Sequence, residues 1–445
     1  MDRGGPRVAT STSPTDSLSR AEKTARTRAS IVRSAHDLFA GRGYRAVSLR
    51  DIAAHAGLSH PGLLRHFATK DAILVAVVDA VETSGLDGIP FPPPGSLPFS
   101  GLAEHNATVP GYLPLFAALT GEASVPDHPA HAYMRARYVQ VREAAARTLA
   151  DARTHGRVDP SRDPAGEAVR IAAAWDGLQL LAQYLPQQVD IVDALRRHEE
   201  RLGRPVGHRD HATPSRAEDP NPIAPAPPLV PADDTSGYRV GRSRRTAILT
   251  DALALFARSG YGDTSLRQVA DAVGVSKSTL MHHYPTKEAL LSAVVAERDR
   301  RIERKVEQAA IPRAADALRA MPDGAARDAV DEPGLIQVYA VLSCEAAPAD
   351  HPAHASFTHR FRATVAHFTA LFDAARRDGD LSYDRDPAFE AMWWVALWDG
   401  LQYQWLYDRE GIDVAAHLRA HLDDVLPAPP LAQPEAATTS STASP

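Results

Sequence analysis

The chain has a single cysteine, Cys344, in 445 residues. One thiol can form no intrachain disulfide and no cysteine-based zinc site, which suits a reducing cytoplasm. No apolar run approaches the roughly 18 residues of a membrane span. The opening stretch, MDRGGPRVATSTSPTDSLSR, lacks the apolar segment of a signal peptide. Period-two alternation bounded by turn signals is also missing, so strands are not expected. There is no G-x-S-x-G, no phosphate-binding loop and no dinucleotide fingerprint. No catalytic role, cofactor or metal is therefore expected.

Apolar residues make up 44% of the chain, enough for real cores, and the formal net charge is −6. That average hides two basic regions. Residues 20–70 carry Arg26, Arg28, Arg33, Arg50, Arg65 and Lys70 among ten basic residues, against only Glu22, Asp37 and Asp51. A second imbalance includes Arg244, Arg245, Arg267, Lys277 and Lys287. Two basic modules on an acidic body suit a protein that meets phosphates at two places.

The basic regions contain a duplication. Ser48 to Phe67 reads SLRDIAAHAGLSHPGLLRHF, and Ser265 to Tyr284, 217 residues on, reads SLRQVADAVGVSKSTLMHHY. Each copy reads as two short helices joined by a tight turn. Ser48 and Ser59 cap the first pair. Gly57 supplies the turn, since a positive φ is cheap only without a Cβ. Pro61 falls in the first turn of its helix, where no backbone N–H is missed. Leu63, Leu64 and Phe67 are expected to anchor that helix. Further on, DHPAH recurs at Asp127 and Asp350, and WDGLQ at Trp175 and Trp398, both 223 residues apart. The whole unit is thus duplicated, with about six residues gained between the motifs. In DHPAH the proline reads as a helix start with Asp127 or Asp350 as cap. The alternative is a metal site with His128 and His131 or with His351 and His354. Trp175, Gln179, Trp398 and Gln402 are expected to pack between helices, with ligand-pocket lining as the rival.

A first helix ending F-x-x-x-G-Y, then S-L-R-x-[IV]-A-x-x-x-G-[LV]-S, then an aromatic and T-K-[DE]-A-[IL]-L, resembles the tetracycline-repressor (TetR) family of bacterial regulators. Both copies carry the pattern, through Phe39, Gly43, Tyr44, Ile52, Ala53 and Gly57, and through Phe256, Gly260, Tyr261, Val269, Ala270 and Gly274. The resemblance implies an all-α fold of two units. Each would have an N-terminal three-helix helix-turn-helix domain and a C-terminal helical domain for ligand binding and dimerisation. The expected order is a disordered arm 1–24, DNA module 25–85, regulatory body 86–202, Pro-rich linker 203–238, module 239–302, body 303–427 and a disordered tail 428–445. Family members are usually single units that pair. Two units in one chain imply a built-in pseudo-dimer, and a further homodimer of the tandem chain stays open.

The expected partner is a double-stranded DNA operator, with a small apolar inducer and no membrane. The recognition segments are Ser59–His66 and Ser276–His283, because the second helix of such a motif enters the major groove N-terminus first. His60 and Lys277 can donate to guanine. Pro61 and Gly62 stand opposite Ser278 and Thr279, and Arg65 and His66 opposite His282 and His283. Ser48, Arg50, Lys70, Ser265, Arg267 and Lys287 are expected at phosphates. Tyr284 reads as a core anchor whose hydroxyl could reach a phosphate. Two readings stay beside the cytoplasmic, nucleoid-associated regulator: a ligand-binding or scaffold protein without DNA binding, and an enzyme using DHPAH.

Overall fold

The computed structural model describes residues 19–86, 93–229, 248–255, 265–300 and 311–427, apart from positions 45, 226, 253, 254, 288, 291, 298, 332 and 352. Every regular element among the described residues is an α-helix. Phe256, Gly260 and Tyr261, the expected arm up to residue 18, and the tail from 428 lie outside them.

The first module is α1 (Arg20–Arg42), α2 (Leu49–His55), α3 (His60–Leu64) and α4 (Lys70–Leu86). Ser19 and Glu22 form a reciprocal capping box at the start of α1. The helix therefore begins before residue 24, where the arm was expected to end. Ile31, Phe39, Ile52, Leu63 and Phe67 fill a core between the helices.

Body 1 consists of α5 (Phe99–Thr108), α6 (Tyr112–Glu122), α7 (His131–Thr154), α8 (Pro164–Tyr184) and α9 (Ile191–Leu202). The second helix-turn-helix is α10 (Leu266–Ala272) and α11 (Lys277–His283). Body 2 follows as α12 (Ala314–Asp331), α13 (Pro333–Glu345), α14 (His354–Arg377), α15 (Pro387–Tyr407) and α16 (Val414–Val425). The bounds of α7, α8 and α9 recur in α14, α15 and α16 with a shift of 223 at both ends. Asp163 and Asp386 cap α8 and α15 ahead of a proline, so the same local signal starts both.

The two bodies meet where α8 crosses α15. Gly177 and Gly400 are the glycines of the repeated WDGLQ. A Cβ on Gly177 would land on the carbonyl of Ala396, and one on Gly400 on the carbonyl of Ala173. These contacts are reciprocal, since 396 and 400 are the counterparts of 173 and 177. Gln179 and Gln402 are buried and Trp175 and Trp398 pack against the shared core, as expected for an interhelical role. The reciprocity extends outward. Tyr407 donates its hydroxyl to the carbonyl of Thr120, 2.8 Å away, and Tyr184 donates to that of Ser343. Tyr407 stacks on His131 and Tyr184 on His354.

DHPAH thus differs from its expected role. Ala130 and Ala353 occupy the N-caps of α7 and α14, and neither helix has a side-chain cap. The histidines do the tying instead. His128 Nδ1 accepts the Ala130 N–H at 3.2 Å and His351 Nδ1 the Ala353 N–H at 3.1 Å. His131 and His354 hydrogen bond to the carbonyls of Ala123 and Ala346.

The Pro-rich linker is anchored, with Gly207, Arg209, Asp210 and Asn221 all hydrogen bonded to body 2. Ala217 N–H donates to the Asp378 carbonyl, Asn221 donates twice to the Asp378 carboxylate, and Arg209 and Arg377 add contacts to Gly379 and Pro222. Linker residues thereby gain backbone partners without secondary structure.

Charges are buried beside the seam. Arg162 bonds to Glu167 and across to Asp424; Arg385 bonds to Glu390 and Asp424; Arg201 reaches across to Glu390. His198 stacks on Trp393 and is enclosed with Glu167, Arg162, His421 and Asp424. His421 sits among Glu390, Asp424, Arg385 and Arg170. Burial pushes His198 down to about 3 and His421 down to about 4. Both are therefore neutral in the folded chain when the unfolded chain begins to take up protons, near pH 6.5. Their contribution to stability is complete above that pH and is lost as pH falls toward 4. The melting temperature should drop between pH 7 and pH 5, and a His198→Gln/His421→Gln variant should show a flatter curve by calorimetry. A parallel curve would count against this. Gly177→Ala should cost about 2 kcal/mol or more through forced separation of α8 from α15, measured by denaturant unfolding.

Candidate nucleic-acid interface

The recognition surfaces are built by local chemistry. Ser48 accepts the Asp51 N–H, while the Asp51 carboxylate accepts the Ser48 N–H at 2.8 Å. Ser265 and Gln268 repeat the box, with 2.7 Å for the return bond. Gly57 and Gly274 then turn the chain at φ 69° and 67°. Only glycine takes that conformation without strain. Ser59 caps α3 through the Gly62 N–H and Ser276 caps α11 through the Thr279 N–H. Leu63 and Leu280 are fully buried at equivalent positions and fix each recognition helix to its module.

This leaves a defined face outward. Ser48, Arg50, Ser59, Pro61 and Arg65 are exposed, with His60, Gly62 and His66 partly so. In the second module Ser265, Arg267, Ser276, Lys277, Ser278 and His282 are exposed, with Thr279 and His283 partly so. Most of the expected residues are thus exposed or partly exposed on each module. The copies differ in detail. The Ser276 hydroxyl lies 2.9 Å from that of Ser278 and 2.8 Å from that of Thr279, a hydroxyl cluster with no counterpart at Pro61 and Gly62.

Two expected residues, Lys70 and Tyr284, have tasks within their modules. The Lys70 ammonium donates to the carbonyls of Tyr44 at 3.0 Å and Val47 at 2.9 Å, and lies over the Tyr44 ring. It clamps the start of α4 to the turn after α1. Lys287 opens the equivalent helix and is half-buried. Tyr284 is buried with its ring in the core, the anchoring place expected of it. Phe67, its counterpart, is likewise buried, beneath the Arg28 guanidinium.

Sequence reading missed one pair. Leu64 was expected to anchor α3, but it is 41% exposed, and Met281, its counterpart, is 42% exposed. Successive helical residues point about 100° apart, so burying Leu63 turns Leu64 outward. An exposed apolar side chain on a recognition helix can contact the methyl group of thymine. The signal was available in the helical phase.

The first module is also tied to its body. The buried Glu122 carboxylate, at the end of α6, accepts the Tyr44 N–H at 3.0 Å, and the Tyr44 ring meets His128 edge-on. Thr120 and Gly121, just before it, touch body 2 through Tyr407 and Cys344. One turn of α6 therefore contacts the module and the seam together.

Short α-helices joined by a glycine turn, with a polar and basic face outward, define a helix-turn-helix DNA-binding domain, present here twice. The family model for bacterial regulatory proteins of the tetR family matches residues 31–77 and 248–294, again 217 apart. Both helix-turn-helix modules thus match the tetR-family model, in tandem within one chain. It is 42% identical over 65 residues to the HTH-type transcriptional repressor KstR2 of Rhodococcus jostii, covering 15% of this chain and 30% of that protein. It is 49% identical over 55 residues to the HTH-type transcriptional repressor Rv3405c of Mycobacterium tuberculosis, covering 12% and 29%. The chain thus matches less than a third of the length of these relatives. Among solved structures, a transcriptional regulator from Saccharomonospora viridis in complex with choline is 24% identical, with a TM-score of 0.37, covering 41% of this chain and 95% of that one.

If Lys70 is a clamp, Lys70→Ala should lower stability by about 2 kcal/mol through two lost charge-assisted bonds, read from denaturant midpoints. An unchanged midpoint would return Lys70 to the DNA-facing set.

Proposed function

We propose that this chain is a ligand-responsive transcriptional regulator, a repressor, that reads DNA as a single-chain pseudo-dimer in the cytoplasm. The observation that carries this reading is two helix-turn-helix modules with unlike outward faces in one chain whose bodies pack through α8 and α15. Recognition helices of a paired reader reach successive major grooves about 34–36 Å apart on one side of the duplex. Here the two readers differ at His60 and Lys277, Pro61 and Ser278, Gly62 and Thr279, and Arg65 and His282. The operator therefore has unlike half-sites.

Contacts divide into two kinds. Ser48, Arg50, Ser265 and Arg267 flank the first helix of each motif and serve phosphates. His60, Gly62, Leu64, Arg65 and His66, with Lys277, Ser278, Thr279, Met281, His282 and His283, meet base edges or the adjoining backbone. A cleft of about 390 Å³ between α9, α14 and α15, lined by Leu185, Val365 and Met392 and by Asp193, Arg197 and Asp386, supports a place for a small inducer. That volume suits a small molecule. A ligand wedged there would shift the bodies against each other, and the Thr120–Glu122 turn would carry the shift to the first module. The pairing of recognition helices with the grooves would then be lost.

Selection of bound fragments from random duplex DNA should return non-palindromic sites. Lys277→Ala should relax base preference in one half-site only, at a cost of about 1–3 kcal/mol. Arg50→Ala should weaken all sites alike and reduce the salt slope by about one. Perfect palindromes alone would contradict the single-chain reading. No enrichment of any sequence would favour a ligand-binding or scaffold protein that lacks DNA binding.

A further inference from the structure

The seam between the bodies repeats its backbone contacts but not its side chains, and the differences are complementary. Arg201 and Asp424 occupy equivalent positions, 223 apart. Arg201 reaches across to Glu390, and Asp424 reaches across to Arg162 at 3.0 Å. Both carboxylates and both guanidiniums are largely shielded from water. Burial pushes the Asp424 carboxyl up, but Arg385 and Arg162 more than reverse this, so it stays well below the ordinary carboxylate range.

A second asymmetry lies elsewhere on the seam. Arg142 donates to Asp408 of the other body at 2.9 Å. The equivalent pair is Val365 and Leu185, two apolar walls of one cleft. The third is steric. Gly121 and Cys344 are equivalent positions that touch each other, and a Cβ on Gly121 would lie 2.6 Å from that of Cys344.

Each difference penalises pairing of like bodies. Two copies of body 1 would set Arg201 against Arg162, leave Arg142 facing Leu185, and put glycine against glycine. Two copies of body 2 would set Asp424 against Glu390, leave Asp408 facing Val365, and force Cys344 onto Cys344. Leaving a shielded charge unpaired is strongly destabilising, and like charges in contact are worse.

We infer that Arg201 with Asp424, Arg142 with Asp408, and Gly121 with Cys344 make the seam selective, so that body 1 recognises body 2 and rejects its own kind. The interaction surface of each body is thus fitted to one partner, the unlike half of this chain. This rests on the single-chain pairing proposed above, but it concerns which surfaces match and involves no DNA.

The test is a charge exchange in the full-length chain, read by melting temperature. Arg201→Asp alone creates an acidic pair and Asp424→Arg alone a basic pair. Each should melt lower by about 5 °C or more. Arg201→Asp/Asp424→Arg restores the balance of three guanidiniums and three carboxylates among positions 162, 167, 201, 385, 390 and 424, with the bodies' roles reversed. The double variant should regain at least half of the summed loss. A smaller recovery, or single variants without effect, would overturn the inference. Should a single charge reversal fail to fold, a second cycle answers the same question. Arg142→Val alone should lower the melting temperature, and Arg142→Val/Asp408→Leu, which copies the Val365–Leu185 side, should regain at least half; no recovery overturns the inference. Operator binding is measured separately. A chain that passes the cycle but enriches no DNA keeps the selective seam and loses the regulatory reading, and the opposite result loses only the selectivity.

Discussion

The crossing of α8 and α15 is the contact on which the other features depend. Gly177 lies against the backbone of Ala396 and Gly400 against that of Ala173. With no side chain between them, the helices approach closely enough for Tyr184 and Tyr407 to reach carbonyls in the opposite body. The same approach shields the charges around Asp424 from water. Dispersion and burial are short-ranged, so a separation of one methyl group would weaken all of these contacts together. The repeated glycine is thus a distance constraint, and the repeated tyrosine and histidine read it at the ends of the bundle.

That frame connects to the first module through a shared apolar core and through directed polar contacts. Within one turn of α6, Thr120 and Gly121 touch body 2 while Glu122 holds the backbone of Tyr44. Lys70 then clamps Tyr44 and Val47 to the start of α4. The first module is therefore braced against the seam through buried polar contacts, which have direction, rather than through apolar packing alone. A shift between bodies has a short, stiff route to α3. This gives the proposed inducer response a physical basis at the cleft beside α9 and α15.

Much of this was legible in the sequence. The double helix-turn-helix, its capping serines, the turn glycines and the all-α class follow from local rules, because caps and turns are decided by residues within four positions of one another. The match of both modules to the tetR-family model rests on that same local pattern. What the sequence obscured was set by partners far along the chain. The engagement of Lys70 with Tyr44 and Val47 was hidden because it depends on the fold of the turn. Asp127 and Asp350 looked like caps, but the helices start four residues later and the histidines hold the turns. What anchors the linker was hidden because its hydrogen-bond partners, Asp378 and Gly379, come more than 150 residues later. Leu64 shows the opposite case, an error of helical phase that the burial of Leu63 would have corrected.

The central claim is that one polypeptide contains both halves of the reader. The most direct measurement is the mass of the complex on a selected operator fragment, by native mass spectrometry. One chain of 47.9 kDa per duplex, with both half-sites protected, is the predicted result. Two chains per duplex, each protecting one half-site with a single module, would contradict it.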